Sequence, residues 1–391
     1  MLNEQPKFFD EHDVAYLDNA ATTQKPDRVL STLQGFYEST NANPHRGMYD
    51  VANEATEAVE QAREQYAKAL NAEDKEIFFT RNATESLNQL VQGFRHRVDE
   101  TSNVVTTRLE HHSSLLPLQQ LREQTGCEIR IIEQHQIDDY TSFIDGDTEL
   151  IMVTHMSNVT GRILPISDMA SYAHTNSGAV VIVDGCQAYP HMSVDVNQLK
   201  IDAYTFSAHK HYGPTGVGIT YLNSQRHEDY EVSVRGGGMV DSVSEQDATY
   251  SQAPHKFEAG TLNAAGIVAA GEACDMLEEN REAVEEHEQN ILRYGLEQLD
   301  NLGVDVYGHA NDRYGPVISL DVDTDGFDIA HILNEHGVCI RAGNHCADPL
   351  MNALNTSNTA RISIGYYNTE DDIDRLINAL QDAKGLLGGA L

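Results

Sequence analysis

The stretch Tyr204-Thr-Phe-Ser-Ala-His-Lys-His-Tyr-Gly-Pro-Thr-Gly216 places a lysine, Lys210, directly after a short apolar run. The run has the aromatic and β-branched character of a strand, and the glycines and proline that follow predict a loop. In open α/β sheets, ligands bind where the strands end, so this lysine is predicted to face a ligand. A lysine held there can form a Schiff base, although a lone loop lysine is more often a surface charge.

Short apolar runs alternate with helix-period stretches through the first two thirds of the chain. In one helical stretch, Leu87, Leu90, Val91 and Phe94 recur at the spacing of a single helix face. This alternation predicts an α/β fold with a mainly parallel sheet. The predicted strands are Ile77–Thr80, Val104–Thr107, Ile129–Ile132, Ile151–His155, Val180–Asp184, Tyr204–Ser207 and Gly218–Leu222.

After about residue 260 the pattern changes, and it predicts a second, smaller α+β domain at the C-terminal end. Long acidic helices come first, a strand follows, and two more helices bracket the segment around Cys346. The closing Gly-Leu-Leu-Gly-Gly-Ala-Leu, residues 385–391, is expected to fray. The predicted elements are helices at Ala264–Glu279, Glu282–Leu299, Asp328–His336 and Glu370–Ala383, and a strand at Val317–Val322.

The composition is that of a folded protein with a strongly acidic surface. The chain has 391 residues and a formal charge of −35, from 26 basic and 61 acidic side chains. Such a charge repels phosphate backbones and anionic lipid, so nucleic acid and membrane surfaces are poor candidate partners. It favours a protein adapted to high salt, where charge repulsion is screened. We find no signal-peptide core and no apolar run that suits a transmembrane helix, so we expect a cytoplasmic location.

Cysteine and histidine spacing argues against a structural metal or a disulfide framework. The chain has five cysteines and no C-x-x-C pair. His111 and His112 are adjacent, so their side chains point in different directions, and no further clustered ligand accompanies them. We therefore predict no metal site. A histidine that stacks on an aromatic cofactor and moves protons is the more plausible use of this pair.

Two further segments suggest a site for a phosphorylated, positively charged ring. The buried-strand pattern Ala179-Val-Val-Ile-Val-Asp184 delivers a carboxylate to the sheet edge, where it can keep a pyridine nitrogen of pyridoxal phosphate (PLP) protonated. The alternative for Asp184 is a turn or helix-capping residue.

Phe78 to Ser86 runs from a strand into a helix that begins near Thr84, and a helix N-terminus binds anions. Thr84 has plain N-capping as its alternative. Ser207 and His209 are positioned to donate to the same anion.

A cysteine and an arginine near the C-terminus complete the candidate residues. The glycine and proline of Arg341-Ala-Gly-Asn-His-Cys-Ala-Asp-Pro349 put Cys346 on a loop, beside a histidine that can lower its thiol pKa. The other four cysteines are expected to be inert and buried. Arg361 has a planar fork that suits the α-carboxylate of an amino acid, with a surface ion pair as the alternative.

These segments occur in the order seen in class V aminotransferase-fold enzymes, and more narrowly they resemble the Suf-type (group II) cysteine desulfurases. The resemblance covers nearly the whole chain, and the Ser-x-His-Lys and Arg-Ala-Gly-x-His-Cys segments are the most specific parts of it. The segments are 16–22, 43–47, 80–86, 110–113, 157–161, 183–188, 206–216, 257–261 and 341–351.

The resemblance implies the type I PLP-dependent transferase fold, with a large domain of seven strands and a smaller α+β C-terminal domain. Residues 16–262 would form the large domain, and 1–15 with 263–391 the small one. It further implies L-cysteine as substrate, L-alanine as product, and a homodimer with shared active sites. The sulfur would pass to an acceptor or Suf scaffold protein, with iron–sulfur cluster assembly as the expected use.

The resemblance also implies roles for individual residues. Lys210 would bind PLP and act as the Cα base, and Cys346 would carry the persulfide. Arg361, helped by Asn19 and Arg341, would bind the substrate. The remaining residues would hold the cofactor: His111 on the ring, Asp184 at its nitrogen, Asn158 and Gln187 near the phenolic oxygen, Ala83, Thr84, Ser207 and His209 at the phosphate, and Thr261 at the phosphate of the other subunit.

Three positions depart from the usual pattern of the family. Asn344 replaces a common histidine, Ser114 a common asparagine and Leu262 a common proline. None of these changes removes a group that the mechanism needs, but they leave the acceptor protein open. Two alternatives also stay open: a selenocysteine, cysteine-sulfinate or other C–S lyase of the same fold, and a non-catalytic binding homologue. An activity that does not change when Cys346 is substituted would favour the lyase. A purified protein without PLP absorbance would favour the binding homologue.

Overall fold

The computed structural model describes residues 5–45, 47–308, 313–322 and 324–386. Its strands are Ala15–Tyr16 (β1), Ile77–Thr80 (β2), Asn103–Thr107 (β3), Glu128–Ile132 (β4), Thr148–Thr154 (β5), Val180–Asp184 (β6), Ala203–Ser207 (β7), Gly218–Leu222 (β8), Val240–Val243 (β9), Ala248–Tyr250 (β10), Asp305–Val306 (β11), Val317–Asp321 (β12), Val338–Cys339 (β13), Arg341–Gly343 (β14) and Thr359–Ser363 (β15).

The helices are Phe8–Glu11 (α1), Asp27–Gly35 (α2), Asp50–Leu70 (α3), Ala83–Gly93 (α4), His112–Thr125 (α5), Ile166–Asn176 (α6), Val196–Leu199 (α7), Ala264–Glu278 (α8), Arg281–Leu302 (α9), Gly326–Glu335 (α10), Asp348–Ala353 (α11) and Glu370–Leu386 (α12). Short 3₁₀ turns lie between them, and one of these turns, Ala208–Lys210, follows β7 directly.

A seven-stranded sheet with the order β2-β8-β7-β6-β5-β3-β4 forms the larger part of the fold. β8 runs antiparallel to its neighbours β7 and β2, and the other adjacent pairs are parallel. All seven predicted strands lie in this sheet. The predicted α/β class with a mainly parallel sheet is therefore confirmed.

The central strand β6 shows why this sequence forms a sheet that is covered on both faces. Its Val-Val-Ile-Val run is β-branched and fully buried, and successive side chains of a strand point to opposite faces. Val181 and Val183 pack into one hydrophobic cluster, whereas Val180 and Ile182 pack into another. Apolar layers on both faces leave the strand ends as the place where polar groups meet a ligand.

A four-stranded antiparallel sheet, β11-β12-β15-β14, forms the C-terminal part with α9, α10 and α12. The predicted helices and strand of this region are confirmed, with ends that shift by a few residues. β12 stops at Asp321, one residue before the predicted end. Leu386 ends α12, and residues 387–391, where fraying is predicted, lie outside the described residues.

Residues near the N-terminus join this C-terminal part, because β1 pairs in parallel with β13. Separate hydrophobic clusters lie on the seven-stranded sheet and around the four-stranded sheet. The division at residues 15/16 and 262/263 stays a prediction. In the described part of the chain, no helix combines the length and the apolar character needed to cross a membrane.

Candidate active site

The predicted site residues converge on a cavity of 390 Å³ at the carboxyl ends of β5, β6 and β7. Asp184 is the last residue of β6, and Lys210 ends the turn that follows β7. The parallel sheet therefore brings an amine and a carboxylate together although they lie far apart in sequence. Of the predicted residues, these line the cavity: Ala83, Thr84, His111, Asn158, Asp184, Gln187, Ser207, His209, Lys210, Arg341, Cys346 and Arg361.

Asp184 is the buried acidic residue that lines the cavity, and Glu110 is a second buried acidic residue that does not line it. Asp184 is 5% exposed, and its Oδ1 accepts a hydrogen bond from Cys186 N–H at 2.9 Å. No helix starts at Asp184 in the described structure, so the helix-capping alternative is wrong, whereas the hydrogen bond from Cys186, two residues on, fits the turn alternative. The Glu110 carboxyl contacts Thr107 Oγ1 at 2.7 Å and Thr154 N at 3.0 Å, and burial raises its pKa to about 8. Glu110 therefore links the ends of β3 and β5.

Backbone and hydroxyl donors form an anion cradle at the start of α4. Asn82, not Thr84, caps the helix by accepting a hydrogen bond from Glu85 N–H at 2.9 Å, so the capping alternative for Thr84 is wrong. Ala83 N–H donates to Ser207 Oγ at 2.9 Å, and the Thr84 and Ser113 hydroxyl oxygens are 2.7 Å apart. A helix N-terminus with clustered hydroxyls suits a phosphate.

Gly218, the first residue of β8, lets the chain approach this cradle closely. A Cβ at this position would lie 2.6 Å from the Asn82 carbonyl carbon and 2.3 Å from Thr80 Oγ1. Only glycine avoids both clashes. The residue thus allows β8 to pack against the start of α4 without displacing the cap.

His111 is a neutral imidazole with an assignable proton. Its Nδ1 accepts from Ser113 N–H at 3.1 Å and lies 2.9 Å from Ser113 Oγ. Burial, together with the positive charge of Lys210, lowers its pKa to about 4. At neutral pH the single ring proton therefore sits on Nε2. Burial likewise lowers the pKa of His209 to about 4, so His209 is also neutral.

Arg361 lines the cavity and is buried, so its alternative role as a surface ion pair is wrong. Nη1 donates to Asn158 O at 3.1 Å, and Nη2 donates to Asp18 Oδ1 at 3.2 Å. Arg341 also pairs with Asp18, at 2.9 Å. Burial lowers the pKa of Arg361 to about 10, which leaves it charged at neutral pH. Asp18 thus orients both arginines, and the sequence reasoning missed it.

Two predicted residues lie outside this cavity. The Asn19 side chain donates to Ser363 O at 2.7 Å and to Asn368 Oδ1 at 3.0 Å, and these contacts tie the N-terminal segment to the C-terminal part. Thr261 lines a different cavity, of 610 Å³. The roles that the resemblance gives these two residues stay predictions.

The five cysteines differ in exposure in a way that singles out Cys346. Cys346 is exposed, Cys127 and Cys274 are buried, and Cys186 and Cys339 are half-buried. The expectation that all four others are buried is therefore wrong for the last two. Cys186 also lines the cavity, where burial and the Asp184 charge raise its pKa. It is therefore a neutral thiol at physiological pH, which suppresses its reactivity.

His111 and His112 are not part of a metal-ligand cluster among the described residues. The cluster found there is His45, Glu60 and His255, with candidate ligand atoms within 4.8 Å of one another. Both Glu60 carboxylate oxygens already accept from Arg63, at 2.9 and 3.2 Å. The Glu60 carboxylate is thus already engaged by Arg63, which it shares with the buried Glu258.

Unpartnered polar atoms show that the 390 Å³ cavity suits a bound cofactor. Asn158 Oδ1 and Arg361 Nε are buried without a hydrogen-bond partner among the described residues. Buried polar groups are normally paired, so these atoms fit a ligand that carries its own donors and acceptors. An amine, a carboxylate and an anion cradle at one cavity match the carbonyl, ring nitrogen and phosphate of PLP.

Similarity to known proteins agrees with this geometry. Residues 15–376 match the model of the family described as Aminotransferase class-V. The chain is 38% identical over 382 residues to a probable cysteine desulfurase of Halobacterium salinarum, covering 95% of this chain and 92% of the relative. It is 39% identical over 381 residues to a probable cysteine desulfurase of Staphylococcus aureus, with 95% and 92% covered.

Solved structures give the same result. A cysteine desulfurase of Thermococcus onnurineus superposes with a TM-score of 0.92 at 32% identity, over 95% of this chain and 94% of that chain. The cysteine desulfurase CsdA of Escherichia coli gives 0.88 at 34% identity, over 97% and 98%. The cavity residues and these relatives together place the chain in the class V aminotransferase family, among its cysteine desulfurases.

Proposed function

We propose that the chain converts L-cysteine to L-alanine and that Cys346 receives the sulfur as a persulfide. The observation that carries the proposal is that an exposed loop cysteine and the lysine at the end of β7 line one cavity. The same cavity supplies an arginine for a carboxylate and a cradle for a phosphate. A C–S lyase that does not use a thiol acceptor has no need of Cys346 at this place.

PLP is the cofactor, and the residues that would hold it are those that line the cavity. Lys210 Nζ would hold it covalently, Asp184 would pair with its ring nitrogen and His111 would lie on its ring. When bound, PLP withdraws electrons from the Cα of an amino acid. Ala83, Thr84, Ser207 and His209 would hold the phosphate, and Asn158 and Gln187 would lie near the phenolic oxygen. Gln187 Nε2 donates to Ala20 O at 2.8 Å, which fixes its side chain in place.

Substrate binding and proton transfer fall to three side chains of this chain. Arg361 would bind the α-carboxylate of L-cysteine through its planar fork. Lys210, once its amine is released, would remove the Cα proton. His111 carries its proton on Nε2, because Nδ1 accepts from Ser113, and so it can donate that proton within the cavity.

Cys346 would then perform the sulfur transfer. Its thiolate attacks the sulfur of the substrate, so that an S–S bond forms while the substrate Cβ–S bond breaks. The electron pair of the broken bond stays with carbon, and protonation of that carbon leads to alanine. Cys346 keeps the sulfur as a persulfide until the thiolate of an acceptor attacks the outer sulfur, which breaks the S–S bond, moves the sulfur to the acceptor and releases the Cys346 thiolate. With a thiol reductant in excess, a second thiol then releases the sulfur as sulfide and a disulfide forms.

The test is to measure alanine and sulfide from L-cysteine, with reductant, for the PLP-loaded wild type and for Cys346→Ala. We expect both products from the wild type. The variant should keep the PLP absorbance but lose sulfide release and persulfide labelling. Cys339→Ala is the matched control, since this half-buried cysteine lies on β13 outside the cavity. Normal delivery of cysteine-derived sulfur by Cys346→Ala would refute the assignment.

We further propose a homodimer whose second subunit brings Thr261 to the phosphate, and an acceptor or scaffold protein that takes sulfur for iron–sulfur cluster assembly. Support for the dimer is that Thr261 lies away from the cavity of its own chain, in the 610 Å³ cavity. Full activity of a strictly monomeric protein in sedimentation would refute the dimer. Failure of the persulfidated protein to support cluster assembly on any scaffold would refute the pathway.

We also propose adaptation to high salt. The net charge of −35 supports it, because such a surface is stable only where repulsion among carboxylates is screened.

A further inference from the structure

The loop that carries Cys346, residues 343–348, has an unusual backbone. His345 and Cys346 both have positive φ, at 53° and 54°, and Gly343 has φ 131°. Left-handed conformations of residues other than glycine cost on the order of 1–3 kcal/mol each and persist only where surrounding contacts impose them. Contacts elsewhere in the fold must therefore hold this loop in place.

His345 is held from the C-terminal part and from the cavity wall. Its Nε2 lies 2.8 Å from Thr359 Oγ1 on β15, and its carbonyl accepts from Asn158 Nδ2 at 2.8 Å. These contacts fix the residue before Cys346. They do not touch Cys346 itself.

The backbone N–H and the carbonyl of Cys346 each make one hydrogen bond. Its N–H donates to Asn344 Oδ1 at 3.1 Å. Its carbonyl accepts from His112 N–H at 2.7 Å. His112 is the first residue of α5 and follows His111 in the cavity wall, so the second hydrogen bond ties the loop to the cofactor site.

The Asp348 side chain contacts both Asn344 and His112, the two residues that bind the backbone of Cys346. Its carboxylate accepts from Asn344 Nδ2, which lies 3.0 Å from each oxygen, and its Oδ2 lies 2.8 Å from His112 Nε2. Asp348 N also lies 3.3 Å from this Nε2. Because a ring nitrogen that donates cannot also accept, we assign the shorter contact as the hydrogen bond. Asn344, Asp348 and His112 form what we call the polar clasp.

The polar clasp is weak by its nature. The Asp348 side chain is 55% exposed and that of His112 is 31% exposed, and exposed ion pairs contribute only about 0–1 kcal/mol. Cys346 lines the inner cavity and also an outer groove of 490 Å³. The strained loop lies between these two openings, and the part of its support that the clasp supplies consists of exposed contacts, which one substitution can remove.

We propose that Asn344, Asp348 and His112 are positioning residues that hold Cys346 toward the inner cavity for persulfide formation. The proposal rests on the proposed function of Cys346. Misplacing a reacting group by about 1 Å can cost roughly 100-fold in rate. Loss of the clasp should therefore slow sulfur transfer while leaving cofactor and substrate binding intact.

The test compares Asp348→Ala, His112→Ala and their double variant with wild type. We expect kcat for alanine formation with reductant to fall roughly 10- to 100-fold, with KM and PLP absorbance unchanged. Alkylation of Cys346 by iodoacetamide should become faster, because the loop opens. The double variant should lose no more than the larger single loss, as for partners in one contact. Asp348→Glu should restore part of kcat.

Asp382→Ala is the matched control, because Asp382 is an exposed carboxylate 3.7 Å from His336, on α12. A wild-type kcat and alkylation rate in Asp348→Ala would overturn the clasp. Loss of PLP absorbance in that variant would also overturn a purely positioning role, since the clasp would then shape the cofactor site. A wild type that forms no alanine would instead refute the proposed function, and the alkylation rates would still test the clasp.

Discussion

The floor of the active site and the Cys346 loop are built in opposite ways. The floor rests on strand ends: Asp184 ends β6 and Lys210 follows β7. Strands with buried side chains on both faces fix these positions through main-chain pairing. The loop has less support of this kind: one main-chain hydrogen bond from His112 and the buried contacts of His345 hold it. Exposed side-chain contacts among Asn344, Asp348 and His112 complete its support.

The difference teaches how one cavity serves two kinds of chemistry. Proton transfer at a bound amino acid needs groups that stay within a fraction of an ångström, and a sheet edge supplies them. A sulfur carrier must face the substrate inside and an acceptor outside, which a loop on weak contacts permits. We therefore expect substitutions in the floor to affect all steps and substitutions in the loop to affect only sulfur transfer.

Lys210→Ala should have the largest effect. On the proposed roles of Lys210, the variant would lose both the covalent hold on the cofactor and the Cα base. General-base catalysis alone contributes roughly 100- to 10,000-fold. Alanine formation from L-cysteine should therefore fall at least about 100-fold, together with persulfide labelling of Cys346. Lys68→Ala on the exposed side of α3 is the control. Substantial turnover by Lys210→Ala would mean that the floor does not supply the base.

Acid should lower the free energy of unfolding, because His155 is buried next to the floor in its neutral form. His155 is buried behind Asp184, donating its backbone N–H to Asp184 O at 2.8 Å, and burial lowers its pKa to about 4. Between pH 6.5 and 4 the unfolded chain binds a proton at this residue and the folded chain does not. The free energy of unfolding should thus fall as the pH drops, by about 1.4 kcal/mol per pH unit for one such histidine.

The measurement is urea unfolding from pH 7 to 4.5 for wild type and His155→Gln. The variant should show a shallower loss of stability in this range, because it removes one residue that protonates only on unfolding. His12→Gln is the control, since His12 is exposed near the N-terminus. An identical slope in wild type and His155→Gln would show that this buried histidine does not contribute to the acid sensitivity.

The smallest effect concerns the acidic surface that surrounds both regions. Screening of the net charge of −35 should raise the melting temperature as potassium chloride increases from low to molar concentration. The floor is buried and should keep its PLP absorbance across the whole range, whereas alkylation of Cys346 should change as the exposed clasp is screened. A melting temperature that is indifferent to salt would refute adaptation to high salt.

The sequence predicted most of the floor because strands and their ends carry a local signal. The Val-Val-Ile-Val-Asp run and the Ser-Ala-His-Lys turn each mark a buried strand followed by a functional group. Asp18, Glu110 and the clasp residues His112 and Asp348 were missed. Each acts through a partner far away in the chain, as Asp18 does with Arg361, and no periodicity or spacing reports such a contact.

By itself the sequence determined the fold class, the seven strands, the lysine and the single exposed loop cysteine. These follow from patterns within a few residues, where apolar periodicity and turn residues act directly. Only the tertiary structure decided that Cys346 shares a cavity with Lys210, that Thr261 does not, and that a clasp holds the thiol. Those facts depend on how segments that are distant in the chain pack, and packing is set by shape and burial across the whole chain.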